Sequence, residues 1–251
     1  MARTPSADYL VIDIETVPDT GRWSPPDPTL APNASAFPPN WAHRVVTIGY
    51  LWLGHDYRAK QFGVVAAKGE ARESPDARER ALLAEFSRLV ERTRATLVTY
   101  NGRSFDLPVI ALRSLCHAVP LGWYYRDRNV RARYSDDGHL DICDWLADHG
   151  ASRAGSLDAL AHLIGLPGKV GVDGSQVAGL YDAGDQDAID RYCMSDVAQT
   201  ALLLLRFRLL QAALSPERYR AAAGALLDAL AADARVSAVL AGTDRAHFVG
   251  A

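Results

Sequence analysis

The run Tyr9-Leu10-Val11-Ile12-Asp13-Ile14-Glu15-Thr16 is apolar enough for the inside of a sheet, yet it carries two carboxylates two residues apart. Strand side chains alternate faces, so Leu10, Ile12 and Ile14 share one side while Val11, Asp13 and Glu15 share the other. Like charges on one face of a half-buried strand repel each other and resist leaving water. A fold that keeps both needs a cation against them, and divalent metal ions are the obvious candidates. It also needs a core to cover the apolar face, and 251 residues are enough to bury one.

The remaining sequence is organised to supply that core. Seven of the 13 prolines fall between Pro18 and Pro39, which reads as an irregular surface excursion because strand-like sequence resumes at once. His43 to Leu53 and Tyr57 to Val65 read as two strands joined by the turn Gly54-His55-Asp56. Ser74 to Arg94 shows helical spacing of Leu82, Leu83, Phe86, Leu89 and Val90. A short strand follows at Thr96 to Tyr100, then a helix from about Asp106 with Pro108 in its first turn. Gly138 to Ile142 reads as a strand running into a helix from Cys143 to His149. Ser156 caps a helix from Leu157 to Ile164 that ends at Gly165. Gly165 to Gly184 reads as loop, Asp187 to Leu214 as one long helix, and Ser215-Pro216 starts another. Early strands with intervening helices predict an α/β fold, a mixed central sheet flanked by helices. The expected organisation is one domain over 1–251, with a core at about 8–214 and a C-terminal helical extension at 215–251.

Composition removes several classes of function. With 49% hydrophobic and 23% charged residues the chain reads as an ordinary soluble globular protein. A net charge of −3, from 27 Lys plus Arg against 30 Asp plus Glu, argues against coating long duplexes through charge alone. It leaves room for gripping one strand end through local basic patches. Cys116, Cys143 and Cys193 form no Cys-x-x-Cys pair, so neither a zinc site nor a disulfide framework is expected. The N-terminus has no signal-peptide stretch, and no run approaches the ~20 apolar residues that cross a bilayer. A cytoplasmic protein without a membrane partner is expected.

Two further elements speak to the chemistry of Asp13 and Glu15. Asp106 follows Asn101-Gly102, a turn signal, and stands at a helix start, where the dipole favours an anion. An N-cap or first-turn role stays open beside a role in a site. Tyr192 and Asp196 stand four apart in the long helix and share a face; a satisfied tyrosine hydroxyl is the plain alternative. Asp141, also at a strand end, is the rival acid, with an N-cap for the helix through Trp145 as its plain alternative.

Taken in order, Asp13-Ile14-Glu15-Thr16, then Asn101 with Phe105-Asp106, then Tyr192 with Asp196 resemble the three motifs of the DEDD superfamily of 3′–5′ exonucleases. The tyrosine ahead of the last aspartate points to the tyrosine subtype. Within it the chain is similar to the stand-alone bacterial exonucleases related to the proofreading domain of family-B DNA polymerases. The wider matches are His43-Arg44-Val45-Val46, Phe105-Asp106-Leu107-Pro108-Val109, His139-Leu140-Asp141 and Pro167-Gly168-Lys169, so the resemblance runs from about Tyr9 to Leu204.

That resemblance implies a ribonuclease H-like α/β fold and a 3′–5′ exonuclease that releases nucleoside 5′-monophosphates with two divalent ions, Mg²⁺ or Mn²⁺. It implies that Asp13 bridges both ions, that Glu15 and Asp196 hold the one carrying the nucleophilic water, and that Asp106 helps hold the other. Carboxylates suit hard cations, and four crowded carboxylates would raise one another's pKa without them. Tyr192 is implied to orient the attacking water; a phenol ionising near ~10 is a poor base at neutral pH. Substrate contacts are expected from the Thr16 amide, Asn101, Phe105 stacking on a base, and Lys169. Arg126 and Arg131, in the aromatic- and arginine-rich segment Trp123 to Tyr134, are further candidates. Strand-end, core and surface-loop roles stay open for Thr16, Phe105 and the arginines. The expected partner is a nucleic acid 3′ end, single-stranded DNA favoured and RNA open, with protein partners left open. Two other functions remain alternatives: a nucleic-acid-binding module without catalysis, and a phosphoesterase acting on small nucleotides.

Overall fold

The computed structural model describes residues 7–27, 37–67, 74–169 and 174–250. Strand β1 (Tyr9–Pro18) is the central strand of a five-stranded sheet ordered β3-β2-β1-β4-β5. The strands β2 (His43–Leu53) and β3 (Ala59–Val64) form a hairpin, with β2 antiparallel to β1, while β4 (Thr96–Thr99) and β5 (His139–Asp141) continue the sheet in parallel. The hairpin turn is longer than expected. Tyr57 takes a left-handed φ of 63° and belongs to the turn, so β3 starts only at Ala59.

Helices cover both faces. On one side, α1 (Pro75–Thr93) and α2 (Asp106–Cys116) bring Leu83, Phe86, Val109 and Ile110 against Leu10, Ile12 and Ile14. Ser74 caps α1 by accepting a hydrogen bond from the Ala77 amide at 3.2 Å. Two short helices, α3 (Gly122–Arg126) and α4 (Arg128–Arg131), follow where a surface segment was expected. The helix α5 (Ile142–Leu146) stops sooner than expected, because Asp148 and His149 take left-handed φ values of 49° and 52°. Next come α6 (Leu157–Leu163), capped by Ser156, and α7 (Val177–Asp182), which lies inside the expected Gly165–Gly184 loop. Residues 170–173 of that loop and 28–36 of the proline-rich stretch lie outside the described residues.

The other face of the sheet carries α8 (Gln186–Leu210), whose Met194, Val197, Ala198 and Ala201 pack with Tyr9, Val11 and Val98. It begins one residue earlier and ends four residues earlier than its sequence pattern suggested, and Leu214 falls in the turn beyond it. The last helices, α9 (Pro216–Ala231), α10 (Ser237–Leu240) and α11 (Arg245–Val249), add Tyr219, Leu226, Leu240 and Phe248 to the same core. No helix among the described residues is long and apolar enough to cross a membrane.

Two details of the sheet set the position of the acids. The pairing of β1 with β4 covers only Tyr9 to Val11, whereas its pairing with β2 runs to Pro18. The half of β1 that holds Asp13 and Glu15 therefore reaches past the end of β4, where parallel sheets present their sites. Gly49 of β2 faces Asp13 across the ladder, and a Cβ there would stand 2.9 Å from both Cys193 Sγ and Val197 Cγ2. The missing side chain lets α8 lie close against the strand that carries the acids.

Candidate metal centre

Along the α8-facing side of β1 the apolar surface is interrupted. Tyr9 and Val11 belong to one apolar cluster and Val17 to another, and Asp13 and Glu15 fill the gap between them. Opposite that gap α8 presents Tyr192, Cys193 and Asp196, all buried. The fourth acid arrives from the other side of β1's free edge: Asp106 is the first residue of α2 and is buried as well. A β-bulge between Glu15 and Thr16 re-aims the strand directly after the second acid.

The acids of β1 feel the charges of the other two. Burial, then the charges of Asp106, Glu15 and Asp196, raise the Asp13 carboxyl well above its usual range. Glu15 is raised by burial and by Asp196 and Asp106, against the pull of the Lys169 ammonium. Burial pushes Asp106 up to about 7, with Asp141 and Asp196 adding and the Ile14 amide opposing. Asp196 is pushed up to about 6 by burial, although Lys169 and a hydrogen bond from Tyr192 favour its ionised form. Cations delivered to such a pocket relieve all four at once.

The donor set fits a hard divalent ion. Ligand atoms of Asp13, Glu15 and Cys193 lie within 4.8 Å of one another, and Cys193 Sγ is 3.6 Å from Asp13 Oδ2. Burial and the adjoining acids push the Cys193 thiol well above its ordinary value, so it stands there as a neutral thiol and leaves the oxygens as donors. Sequence reasoning passed over Cys193 and Gly49; a lone glycine inside an apolar strand was the available signal for the second.

The substrate candidates divide into two groups. Lys169 is exposed, with Nζ 5.5 Å from the centre of the Tyr192 ring, and its charge reaches Glu15 and Asp196. Thr16 accompanies the acids on β1, its Oγ1 2.9 Å from His43 Nδ1. Phe105 is half-buried and meets His43 edge-on at 4.9 Å, while Asn101 is exposed with a φ of 66°. Lys169 and Thr16 stand beside the acids, Phe105 directly precedes Asp106, and Asn101 begins the loop that leads to it. Arg126 and Arg131 are exposed on α3 and α4 and do not touch the acids; Arg131 lies 5.8 and 5.3 Å from the Tyr124 and Tyr125 rings. Its backbone carbonyl takes a long contact from Arg103, 3.5 Å, which brings α4 beside the Asn101–Asp106 loop.

Asp141, the rival acid, caps α5, accepting from the Cys143 and Asp144 amides at 3.1 and 3.3 Å, and its charge reaches Asp106. Behind the site, a buried ion cluster fixes α2 to the end of β1. Arg113 donates to both Glu79 oxygens at 2.7 and 2.6 Å and lies 2.9 Å from Asp19.

Comparison with known proteins adds an independent line. Residues 35–242 match a family described as a predicted 3′–5′ exonuclease related to the exonuclease domain of PolB. The match begins beyond β1, so it includes Asp106, Tyr192 and Asp196 and not Asp13 or Glu15. No curated protein matches the chain. Among solved structures it is similar to the family B DNA polymerase of the hyperthermophilic archaeon Pyrobaculum calidifontis, with a TM-score of 0.55 and 21% identity. That likeness covers 98% of this chain and 30% of the polymerase, and it is a likeness of fold. The five-stranded mixed sheet between helices is accordingly the ribonuclease H-like α/β fold that the motifs implied.

Proposed function

The chain belongs to the family of predicted 3′–5′ exonucleases related to the exonuclease domain of PolB, and from that premise we propose that it removes nucleoside 5′-monophosphates from the 3′ end of single-stranded DNA in the cytoplasm. One observation carries this reading: Asp106 of α2 and Asp196 of α8, both buried, lie close enough to Asp13 and Glu15 of β1 for their charges to raise both carboxyls. That arrangement is unfavourable for a protein that binds no cation and favourable for one that does. It also favours catalysis over simple binding of nucleic acid, for which a buried cluster of negative charge is a hindrance.

Asp13, Glu15, Asp106 and Asp196 would hold Mg²⁺ or Mn²⁺, which when bound supplies Lewis-acid stabilisation of the phosphate and an activated water. The protein's own groups do the rest. Tyr192 hydrogen-bonds Asp196 and lies under the Lys169 ammonium, so its hydroxyl is fixed at the edge of the acid pocket and serves to orient a water. Lys169 offers a cation to a phosphate oxygen on the open side of the pocket. Thr16, Asn101 and Phe105 line the approach where a terminal nucleotide would enter, and Arg126 and Arg131 serve phosphates further along the strand. The catalytic unit spans the sheet and α1 to α8, with the helices after Leu214 as its extension.

A 5′-labelled oligonucleotide incubated with the protein tests the proposal. With Mg²⁺ or Mn²⁺ the label should appear in products shortened one nucleotide at a time, and with a chelator the substrate should stay whole. Internal cuts, or shortening that persists in the chelator, would overturn it. Parallel DNA and RNA substrates decide the sugar preference.

A further inference from the structure

The strand His139-Leu140-Asp141 takes no part in the proposed cleavage chemistry. We propose that Asp141 is a positioning residue that fixes the loop delivering Asp106, acting through the backbone without touching substrate or metal; this rests on the exonuclease reading of the acid pocket.

Asp141 is 1% exposed and binds four backbone amides. Its Oδ1 accepts from Asn101 at 2.8 Å, Cys143 at 3.1 Å and Asp144 at 3.3 Å, and its Oδ2 accepts from Arg103 at 2.8 Å. A helix cap accounts for the Cys143 and Asp144 bonds alone. The two shortest bonds go elsewhere, to a loop 38 and 40 residues away in sequence.

The placement of those two bonds explains what they do. The β4–β5 ladder ends with Thr99 paired to Asp141. Beyond that point β4 has no backbone partner on β5, and the Asp141 carboxylate takes over as acceptor for alternate residues, 101 and 103. One step earlier, His139 Nε2 lies 2.8 Å from Thr99 Oγ1, and both residues are fully buried. Residues 99, 101 and 103 are therefore all anchored to side chains of β5.

Held this way, the chain coils tightly. Asn101 takes a left-handed φ of 66°, and its carbonyl accepts from the Ser104 and Phe105 amides. Gly102 accepts from the Leu107 amide at 2.9 Å, and a Cβ on Gly102 would stand 2.5 Å from the Thr99 side chain. This coil sets the first turn of α2, whose first residue is Asp106. Misplacing a reacting or ligating group by ~1 Å costs about 100-fold in rate, so the loop must be held from outside.

Asp141→Asn separates this role from folding. The amide keeps one acceptor oxygen; seated at the Oδ1 position it preserves three bonds, while its NH₂ faces the Arg103 amide, donor against donor. Asp141→Glu is the second variant, since it keeps two acceptors but sets them a methylene away. Ser215→Ala, which removes the cap of α9, is the control for loss of stability alone. Two measurements are made on each protein: Mn²⁺ affinity by electron paramagnetic resonance, and amide hydrogen exchange of residues 100–107 and 142–147.

In the Asp141 variants Mn²⁺ should bind roughly 10-fold more weakly, the range typical of groups that support metal ligands. Exchange at 100–107 should rise at least as much as at 142–147. Ser215→Ala should leave Mn²⁺ affinity unchanged and raise exchange at 100–107 no more than elsewhere in the molecule. Wild-type Mn²⁺ affinity in the Asp141 variants, or faster exchange confined to 142–147, would make Asp141 a cap and overturn the proposal. If the wild-type protein itself binds no Mn²⁺, the exonuclease reading fails, and the exchange data alone decide whether Asp141 holds the loop.

Discussion

Asp13 and Glu15 sit where an ordinary strand would carry valine, and burial beside Asp106 and Asp196 raises both carboxyls well above their usual range. The Asp106 carboxyl is pushed up to about 7 and that of Asp196 to about 6, both above the ordinary aspartate value of 3.8. Without divalent ions the folded state thus holds more protons than the unfolded chain between about pH 4 and 7. Stability contributed by these groups is present below that window and is lost as the pH rises through it. The metal-free protein should melt at a lower temperature at pH 8 than at pH 5, and Mn²⁺ should raise the melting temperature more at pH 8 than at pH 5. Melting curves in chelator that do not change across this range would contradict the account. Tyr192→Phe should leave metal and oligonucleotide affinity near wild type and slow single-turnover cleavage by about 100-fold, the cost of a poorly oriented reactant. Unchanged turnover would remove Tyr192 from the chemistry. At this scale the sequence was informative because the acids break an apolar pattern. Cys193 was not legible, since a cysteine on a buried helix face looks like any small core residue.

Elements with long periodic patterns could be read in advance and short ones could not. The strand β1, the hairpin of β2 and β3, and the helices α1, α8 and α9 all show sustained apolar spacing, with Ser74 and Ser215 marking two of the helix starts. By contrast α3, α4 and α7 run four to six residues, too short for a 3.6-residue period to stand out from loop. The distance between α8 and β1 was also hidden, because it depends on Gly49, a residue with no side chain to mark the contact. Gly49→Ala would force its Cβ to within 2.9 Å of Cys193 and Val197. The expected result is about 1–3 kcal/mol of lost stability together with weakened Mn²⁺ binding, as Asp196 retreats with its helix. Circular dichroism melting and Mn²⁺ titration check the two halves; a variant with normal stability and metal affinity would mean the close approach is dispensable.

Over the whole molecule, residues far apart in sequence are made neighbours by topology. A central strand supplies two acids past the end of β4, one helix start supplies the third and the long helix α8 supplies the fourth. The helices after Leu214 extend this body and share its core. Tyr219 and Phe248 are fully buried in the core that backs α8, and Arg206 of α8 donates to the Phe248 carbonyl at 2.6 Å. Their sequence announced helices but not this contact, because an amphipathic pattern says that a face is buried and not against what. The central claim is that the four acids form one cation site, and Mn²⁺ binding measured on the intact protein tests it most directly. The wild type and the single variants Asp13→Asn, Asp106→Asn and Asp196→Asn are titrated by electron paramagnetic resonance. Each variant should lose Mn²⁺ affinity, Asp13→Asn most of all; wild-type affinity in Asp106→Asn or Asp196→Asn would show that those residues belong to no shared site.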